Sequence, residues 1–415
     1  MGKTFAEKVF GIKAGKDVRA GDIVSVEPDY VMSHDNAAAI SGTFKKIGIN
    51  NVKYPGRIVI ILDHEVPAPK ESSAINHKEI RKFVSEQSIP NFFDINNGIC
   101  HQIFVENGFA MPGKLIVGSD SHTTTYGALG ALSAGIGRSE VAAIWATGEL
   151  WFSVPETLKI EVNGTPSKWI TPKDITLHII GKIRSDGADY KAVEFTGSTI
   201  SNMEIEERMV LTNMAAEMGA KCGYIPPDSK TFEFLKRRAK TEYEPLYSDK
   251  DATYFNAVKI NTEEIVPTVA KPHTVDNYSP ITEVEGTKID QALIGTCTNG
   301  RLYDLRAAAK VLKGKKVKAR TLIVPASRAV YKAAIHDGTI ETLVDAGAII
   351  LNPGCGPCLG AHEGVMAPGE VTFSTANRNF KGRMGCREAE IYLGSPVSVA
   401  ASAIAGEIVD PRRVL

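Results

Sequence analysis

Ala292–Arg301 reads ALIGTCTNGR and Gly347–Gly360 reads GAIILNPGCGPCLG. Each is a short aliphatic run that ends in a glycine-bounded polar turn carrying cysteine. Uninterrupted apolar runs of this length read as strands buried on both faces, as in a parallel sheet covered by helices. Four more runs share that character: Arg57–Leu62 (RIVIIL), Lys114–Val117 (KLIV), Leu158–Val162 (LKIEV) and Thr321–Val324 (TLIV). Between them lie stretches with helical spacing, at Lys78–Glu86, Ser139–Leu150, Pro172–Ile183, Ile205–Met218, Leu302–Leu312 and Ser327–His336. The alternation predicts parallel α/β layers. Composition shifts near Ser153–Glu156 and Val269–Pro280 divide the chain into segments 1–155, 156–277 and 278–415.

The chemistry-bearing residues follow the strands. RIVIIL runs into Asp63-His64, KLIV into Gly118-Ser119-Asp120-Ser121-His122, ALIG into Thr296-Cys297, and GAIIL into Asn352-Pro353-Gly354-Cys355. Ligands in open α/β sheets bind beyond the carboxyl ends of strands. Four polar clusters from four strands are therefore expected to meet in one cleft.

The 48 Lys and Arg of this 415-residue chain balance its 48 Asp and Glu, so no net charge draws it to nucleic acid or an anionic membrane. The basic run Lys313–Arg320 (KGKKVKAR) reads as a solvated loop, and Gly135-Ile136-Gly137 does not complete a dinucleotide fingerprint. The start, MGKTFAEKVF, has no signal-peptide core, Ala6 breaks the myristoylation pattern, and no apolar stretch is long enough to span a bilayer. A soluble, cytoplasmic protein is expected. Its six cysteines are too few for a disulfide scaffold.

Cys355-Gly-Pro-Cys358 supports three readings. CxxC is a thioredoxin-type redox motif, but here it lies deep in the chain and the following LGAHEGVMAPGE is a poor helix former. Structural zinc needs four ligands, which Cys297 and His362 would complete. An iron–sulfur cluster held by Cys297, Cys355 and Cys358 alone would leave one iron without a protein ligand, a Lewis acid open to substrate. Cys100, Cys222 and Cys386 read as free thiols.

The flanking sequence favours the cluster. GSDSHTTTYGALGAL (Gly118–Leu132), GTCTNGR (Gly295–Arg301), NPGCGPCLG (Asn352–Gly360) and NRNFKGRMG (Asn377–Gly385) resemble the signatures of the aconitase superfamily, in family order. DHEVPAPK (Asp63–Lys70) and TNMAAEMGA (Thr212–Ala220) add to the match. The resemblance implies three α/β/α domains with mainly parallel sheets around a central [4Fe–4S] cluster. With the chain stopping at Leu415, the likeness is to the large subunit of two-subunit enzymes: 3-isopropylmalate dehydratase first, with homoaconitase and 2,3-dimethylmalate dehydratase as alternatives. Such a hydro-lyase reversibly dehydrates a substituted malate. A small subunit carrying the swivelling domain would supply the base and further arginines, in a heterodimer or higher heteromer.

The resemblance also assigns roles. His64 would protonate the departing hydroxyl, with Asp63 behind it. Asp120 and His122 would bind the water or hydroxyl at the cluster, with Ser121 in support, and His101 is a further active-site histidine. Glu217 and Asn213, four apart and so on one helix face, would lie near the cluster. His34 in SHDNAA would contact substrate. Asn377 and Arg378 would support the cluster region, and Arg383 would bind a substrate carboxylate through its guanidinium fork. On residue pattern alone, Asp63-His64 also reads as a capped turn, Asp120 as an Asx-turn, His101 as a satisfied core histidine, and Asn213/Glu217 as a solvated face.

Overall fold

A computed structural model describes residues 2–414. The predicted strands and helices form, most with small shifts of their ends. Pro172–Ile183 and Leu302–Leu312 are helices with the expected limits. Lys78–Glu86 is the second half of a longer helix, Glu71–Glu86. The helix expected to reach Leu150 ends at Thr147, because Gly148 takes a left-handed φ of 87° as its C-cap. Leu150–Ser153 then pairs as a strand with Ile23–Val26.

Three sheets organise the molecule. The first runs Asn91–Phe93, Ile58–Ile61, Tyr30–Ser33, Leu115–Gly118, Leu132–Gly135, all parallel. The second runs Cys222–Tyr224, Ala192–Thr196, Thr157–Asn163, Asn256–Asn261, also all parallel. The third has seven strands, in the order Tyr278–Pro280, Thr268–Ala270, Glu390–Leu393, Val371–Ser374, Gln291–Gly295, Arg320–Val324, Ile349–Ile350. Its first two strands are antiparallel additions at one edge, and the rest are parallel. Ile58–Ile61, Leu115–Gly118 and Gln291–Gly295 are buried at every position, as continuous apolar strands covered on both faces must be.

Strand order places the site. In the first sheet the chain winds from Tyr30–Ser33 outward to Asn91–Phe93, then returns to the other side at Leu115–Gly118. In the third it winds from Gln291–Gly295 out to Ile349–Ile350, then returns at Val371–Ser374. Each reversal opens a crevice between neighbouring strand ends. His34 and Asp120 flank the first crevice, and Cys297 and Asn377 flank the second. Cys355 and Cys358 edge an apolar core that joins Leu158, Ile160 and Phe195 of the second sheet to Leu293 and Leu393 of the third. Among the described residues, no helix is long and apolar enough to cross a membrane.

Candidate active site

At the first sheet's crevice, His64 Nδ1 lies 2.6 Å from Asp63 Oδ1. The other Asp63 oxygen accepts the Cys100 backbone N–H at 2.7 Å. Asp63 is wholly buried, so its carboxylate is fixed by these two bonds. Burial alone would lower the His64 pKa, but the Asp63 and Asp120 carboxylates outweigh it and hold His64 well above the ordinary histidine range. His34 stacks on His64 with ring centroids 3.8 Å apart. Burial, and then the charge on His64, push His34 down to about 4. The stack thus pairs one cationic and one neutral imidazole at neutral pH.

Asp120 is the hub. Its Oδ1 lies 2.9 Å from His101 Nε2 and accepts the His122 backbone N–H at 2.7 Å. Its Oδ2 is 3.6 Å from His64 Nε2, beyond hydrogen-bond length. Burial opposes ionisation of Asp120, yet the three histidines hold it well below the carboxylate range. His122 Nε2 meets Glu217 Oε1 at 2.8 Å, and Arg378 Nε donates to both Glu217 oxygens at 2.8 and 3.0 Å.

Glu217 reaches His122 by a departure from the expected helix. The α-helix from Ile205 stops at Met214, and Ala215–Met218 tightens into a 3₁₀ turn capped by Gly219 at φ 82°. Asn213 and Glu217 are therefore not on one continuous α-helical face. Asn213 points instead at a thiol, its Nδ2 3.4 Å from Cys297 Sγ. Asn377 Nδ2 approaches the same sulfur at 3.3 Å. Arg383 Nη2 lies 3.6 Å from Cys358 Sγ.

Cys297 is aimed by strain. Gly295 has φ 142° and leaves no room for a Cβ, which would meet Val324 O at 2.2 Å. Thr296 then takes φ 71°, a left-handed conformation unusual for a β-branched residue and worth about 1–3 kcal/mol. The chain turns sharply into Thr296–Asn299, which carries Cys297 into the crevice. The CGPC segment forms one helical turn, Gly356–Leu359, ended by Gly360 at φ 70°.

His64, His101, Asp120, His122, the three cysteines, Asn377, Arg378 and Arg383 line one cavity of about 50 Å³. His34 stands behind His64, while Asn213 and Glu217 stand behind the cysteines and His122. Ser121 is not brought in: it is exposed and faces a separate depression bordered by Gly135 and Lys221. Its neighbours Asp120 and His122 turn inward because Asp120 caps the buried 3₁₀ segment Ser121–Leu129, leaving the serine on the outer face.

The donor set fits a cluster better than a single ion. Groups whose ligand atoms all lie within 4.8 Å are His34-Asp35-Asp63-His64 and His101-Asp120-His122; the three thiols form no such group among the described residues. His362 joins no such group with the thiols among the described residues. Burial, then Cys358, drive the Cys297 thiol up to about 12, so it keeps its proton at neutral pH unless a bound metal displaces it. The two side-chain amides on Cys297 suit a thiolate acceptor.

Asp35 was not singled out by the sequence. It accepts the backbone N–H groups of Asp63 and His64 at 2.9 and 2.7 Å, that of Glu65 at 3.2 Å, and lies 2.8 Å from His77 Nε2. Burial opposes its ionisation, but His77 and the neighbouring histidines hold it well below the usual range. A depressed carboxylate stabilises the fold above its unfolded pKa, and that contribution disappears on acidification. Asp35→Asn keeps the shape but loses acceptors, and should lower the unfolding free energy by about 1–3 kcal/mol near neutral pH, and less in acid. An unchanged urea midpoint at pH 7 would show that the Asp63–Glu65 turn holds itself. The sole hint in sequence was an acidic residue beside His34.

The model of the Aconitase family (aconitate hydratase) matches residues 7–285 and 278–406. A probable methanogen homoaconitase large subunit of Methanosarcina mazei is 57% identical over 387 residues, covering 93% of this chain and 99% of that protein. The 3-isopropylmalate dehydratase large subunit 1 of Methanopyrus kandleri is 49% identical over 418 residues, covering 100% of both chains. The crystal structure of Thermococcus kodakaraensis aconitase X in its holo-form shares the fold, with TM-score 0.50 at 13% identity over 90% of this chain and 89% of that one. Matched by the family model along nearly its whole length, with two crevices converging on histidine–carboxylate pairs and three buried thiols, this chain belongs to the aconitase family.

Proposed function

We propose that this chain is the large subunit of a hydro-lyase that reversibly dehydrates a substituted malate. The observation that carries the reading is the joint convergence of three buried thiols, a thiol-directed amide and a carboxylate-backed imidazolium on one cavity, with a second amide behind Cys297. Cys297, Cys355 and Cys358 would hold a [4Fe–4S] cluster with one iron lacking a protein ligand. When bound, it supplies a Lewis acid for the substrate's hydroxyl and carboxylate.

The protein's own residues address the rest. His64 is cationic, fixed at Nδ1 by Asp63, and its Nε2 has no hydrogen bond short enough to hold its proton. It donates that proton to the departing hydroxyl, which leaves as water. Asp120 and His122 orient the oxygen through the His101 and Glu217 bonds. Arg378 and Arg383 line the cavity and offer guanidinium groups to the substrate carboxylates. Asp120 is a poor base, because the surrounding histidines hold its carboxyl well below the usual carboxylate range. Removal of the carbon-bound proton therefore falls to a group from a partner chain, the small subunit with its swivelling domain. Exposed Leu359 on the cavity wall and exposed Phe380, whose ring centroid lies 5.7 Å from the Arg383 guanidinium, suit such a partner.

3-Isopropylmalate is the first expected substrate. Homoaconitate is a second reading, favoured by the Methanosarcina relative at 57% identity. Homoaconitate carries a third carboxylate where 3-isopropylmalate carries an isopropyl group, so a cation in the substituent pocket would favour the first and an apolar pocket the second. The purified chain, reconstituted anaerobically, should show no turnover alone and gain it with a small subunit. Steady-state rates on 3-isopropylmalate, homoaconitate and 2,3-dimethylmalate then assign the substrate. Turnover by the isolated chain would overturn the split site, and no turnover of any hydroxy-dicarboxylate by the complex would overturn the reaction.

A further inference from the structure

Two cations lie buried behind the cysteines, outside the cavity. Lys173 is fully buried, and its Nζ donates to the carbonyls of Thr375 and Ala376 at 3.0 and 2.6 Å. Ala376 precedes Asn377, whose amide faces Cys297 Sγ. Arg301 is 1% exposed and donates to the carbonyls of Thr298 and Cys297 at 2.6 and 2.7 Å. Its Nε has no partner. Neither cation has a carboxylate within ion-pair distance among the described residues. Asp304 accepts the Arg301 backbone N–H at 3.1 Å rather than its guanidinium, and burial pushes this carboxyl up to about 7.

A buried charge without a counter-charge is expensive, and proteins rarely keep one unless an anion compensates it. Neutral carbonyls satisfy the hydrogen bonds but not the charge. Both cations are bonded to the turns that carry Cys297 and its amide partner Asn377, so an anion held by the thiols would be the counter-charge.

We infer that Lys173 and Arg301 are positioning residues that form a buried cationic support for the cysteine loops, their charge balanced by a thiolate-bound cluster. The inference rests on the cluster reading above. Each cation fixes a loop through its carbonyls and stabilises the added electron when the cluster is reduced.

The test is a redox titration of the anaerobically reconstituted full chain, followed by visible absorbance and electron paramagnetic resonance. Lys173→Met and Arg301→Met should each move the one-electron reduction equilibrium roughly tenfold towards the oxidised form, about 59 mV more negative. Arg301→Lys keeps the charge and should hold the parent potential. A neutral variant that melts earlier but keeps the parent potential would reduce these residues to structural props and overturn the inference. If both neutral variants fail to fold, Arg301→Lys decides: a shifted potential, or failure to fold, overturns it. Iron and sulfide analysis of the parent separates the two claims. A parent without a cluster defeats the functional reading itself, whereas a loaded parent whose neutral variants keep its potential defeats this inference alone.

Discussion

Cys297→Ala should abolish cluster assembly while leaving a folded chain. The thiol is 4% exposed at the end of a strained turn, and removing one sulfur from a buried site costs about 1 kcal/mol of stability. Its chemical effect is far larger. Asn213 and Asn377 both aim at this sulfur, and the remaining pair, Cys355 and Cys358, sits on a single helical turn. Two thiols on one turn cannot enclose the cavity from the opposite sheet crevice. Iron and sulfide content, and the broad visible absorbance, should fall to background, and activity of the complex with its small subunit should fall with them. Cys386→Ala is the control, because that half-buried thiol bonds Glu388 and lies outside the cavity. Full iron content in Cys297→Ala would sink the three-cysteine assignment. Zinc bound in place of iron in the parent would sink the cluster reading altogether.

The legible part of this fold was what local pattern controls. Continuous aliphatic runs such as Ile58–Ile61 and Gln291–Gly295 declared buried parallel strands, and their polar successors declared the site. Tertiary context decided the rest. Ser121–Leu129 is a 3₁₀ segment buried from His122 onward, its Thr-rich sequence marked by no hydrophobic period. The Thr-rich run is satisfied by local bonds such as Thr123 Oγ1 to Asp120 O and Thr125 Oγ1 to His122 O. That geometry turned Ser121 outward while its neighbours turned in. The break at Met214 separated Asn213 from Glu217, giving one to a thiol and the other to a histidine. Asp35 escaped notice because its work is done through backbone N–H groups almost 30 residues away, which leave no spacing in the sequence. Lys173 and Arg301 escaped for a similar reason: a lysine near the start of an amphipathic helix reads as solvated until the fold buries it.

Asp63→Asn should lower turnover by about 10²–10⁴-fold and shift its pH profile to lower pH. Two effects combine. First, the isosteric amide cannot charge the imidazole. His64 is held cationic against burial chiefly by Asp63, with Asp120 in support, and the neighbouring His34 shows where burial and a nearby imidazolium send such a ring, to about 4. A raised histidine pKa makes the acid form available through neutral pH; removing its cause withdraws that form as pH rises, so the surviving activity moves towards acid. Second, Asp63 Oδ2 accepts the Cys100 N–H at 2.7 Å, and an amide nitrogen in that place would oppose a donor. The helix that carries His101 begins at Cys100, so the same substitution loosens its start, by about 1–3 kcal/mol. The two effects separate experimentally: the first is read in the pH dependence of turnover by the loaded complex, the second in the urea midpoint of the chain. A profile superimposable on the parent's would mean that the proton comes from elsewhere, and His101, held by Asp120 at 2.9 Å on the same cavity wall, would then be the residue to replace.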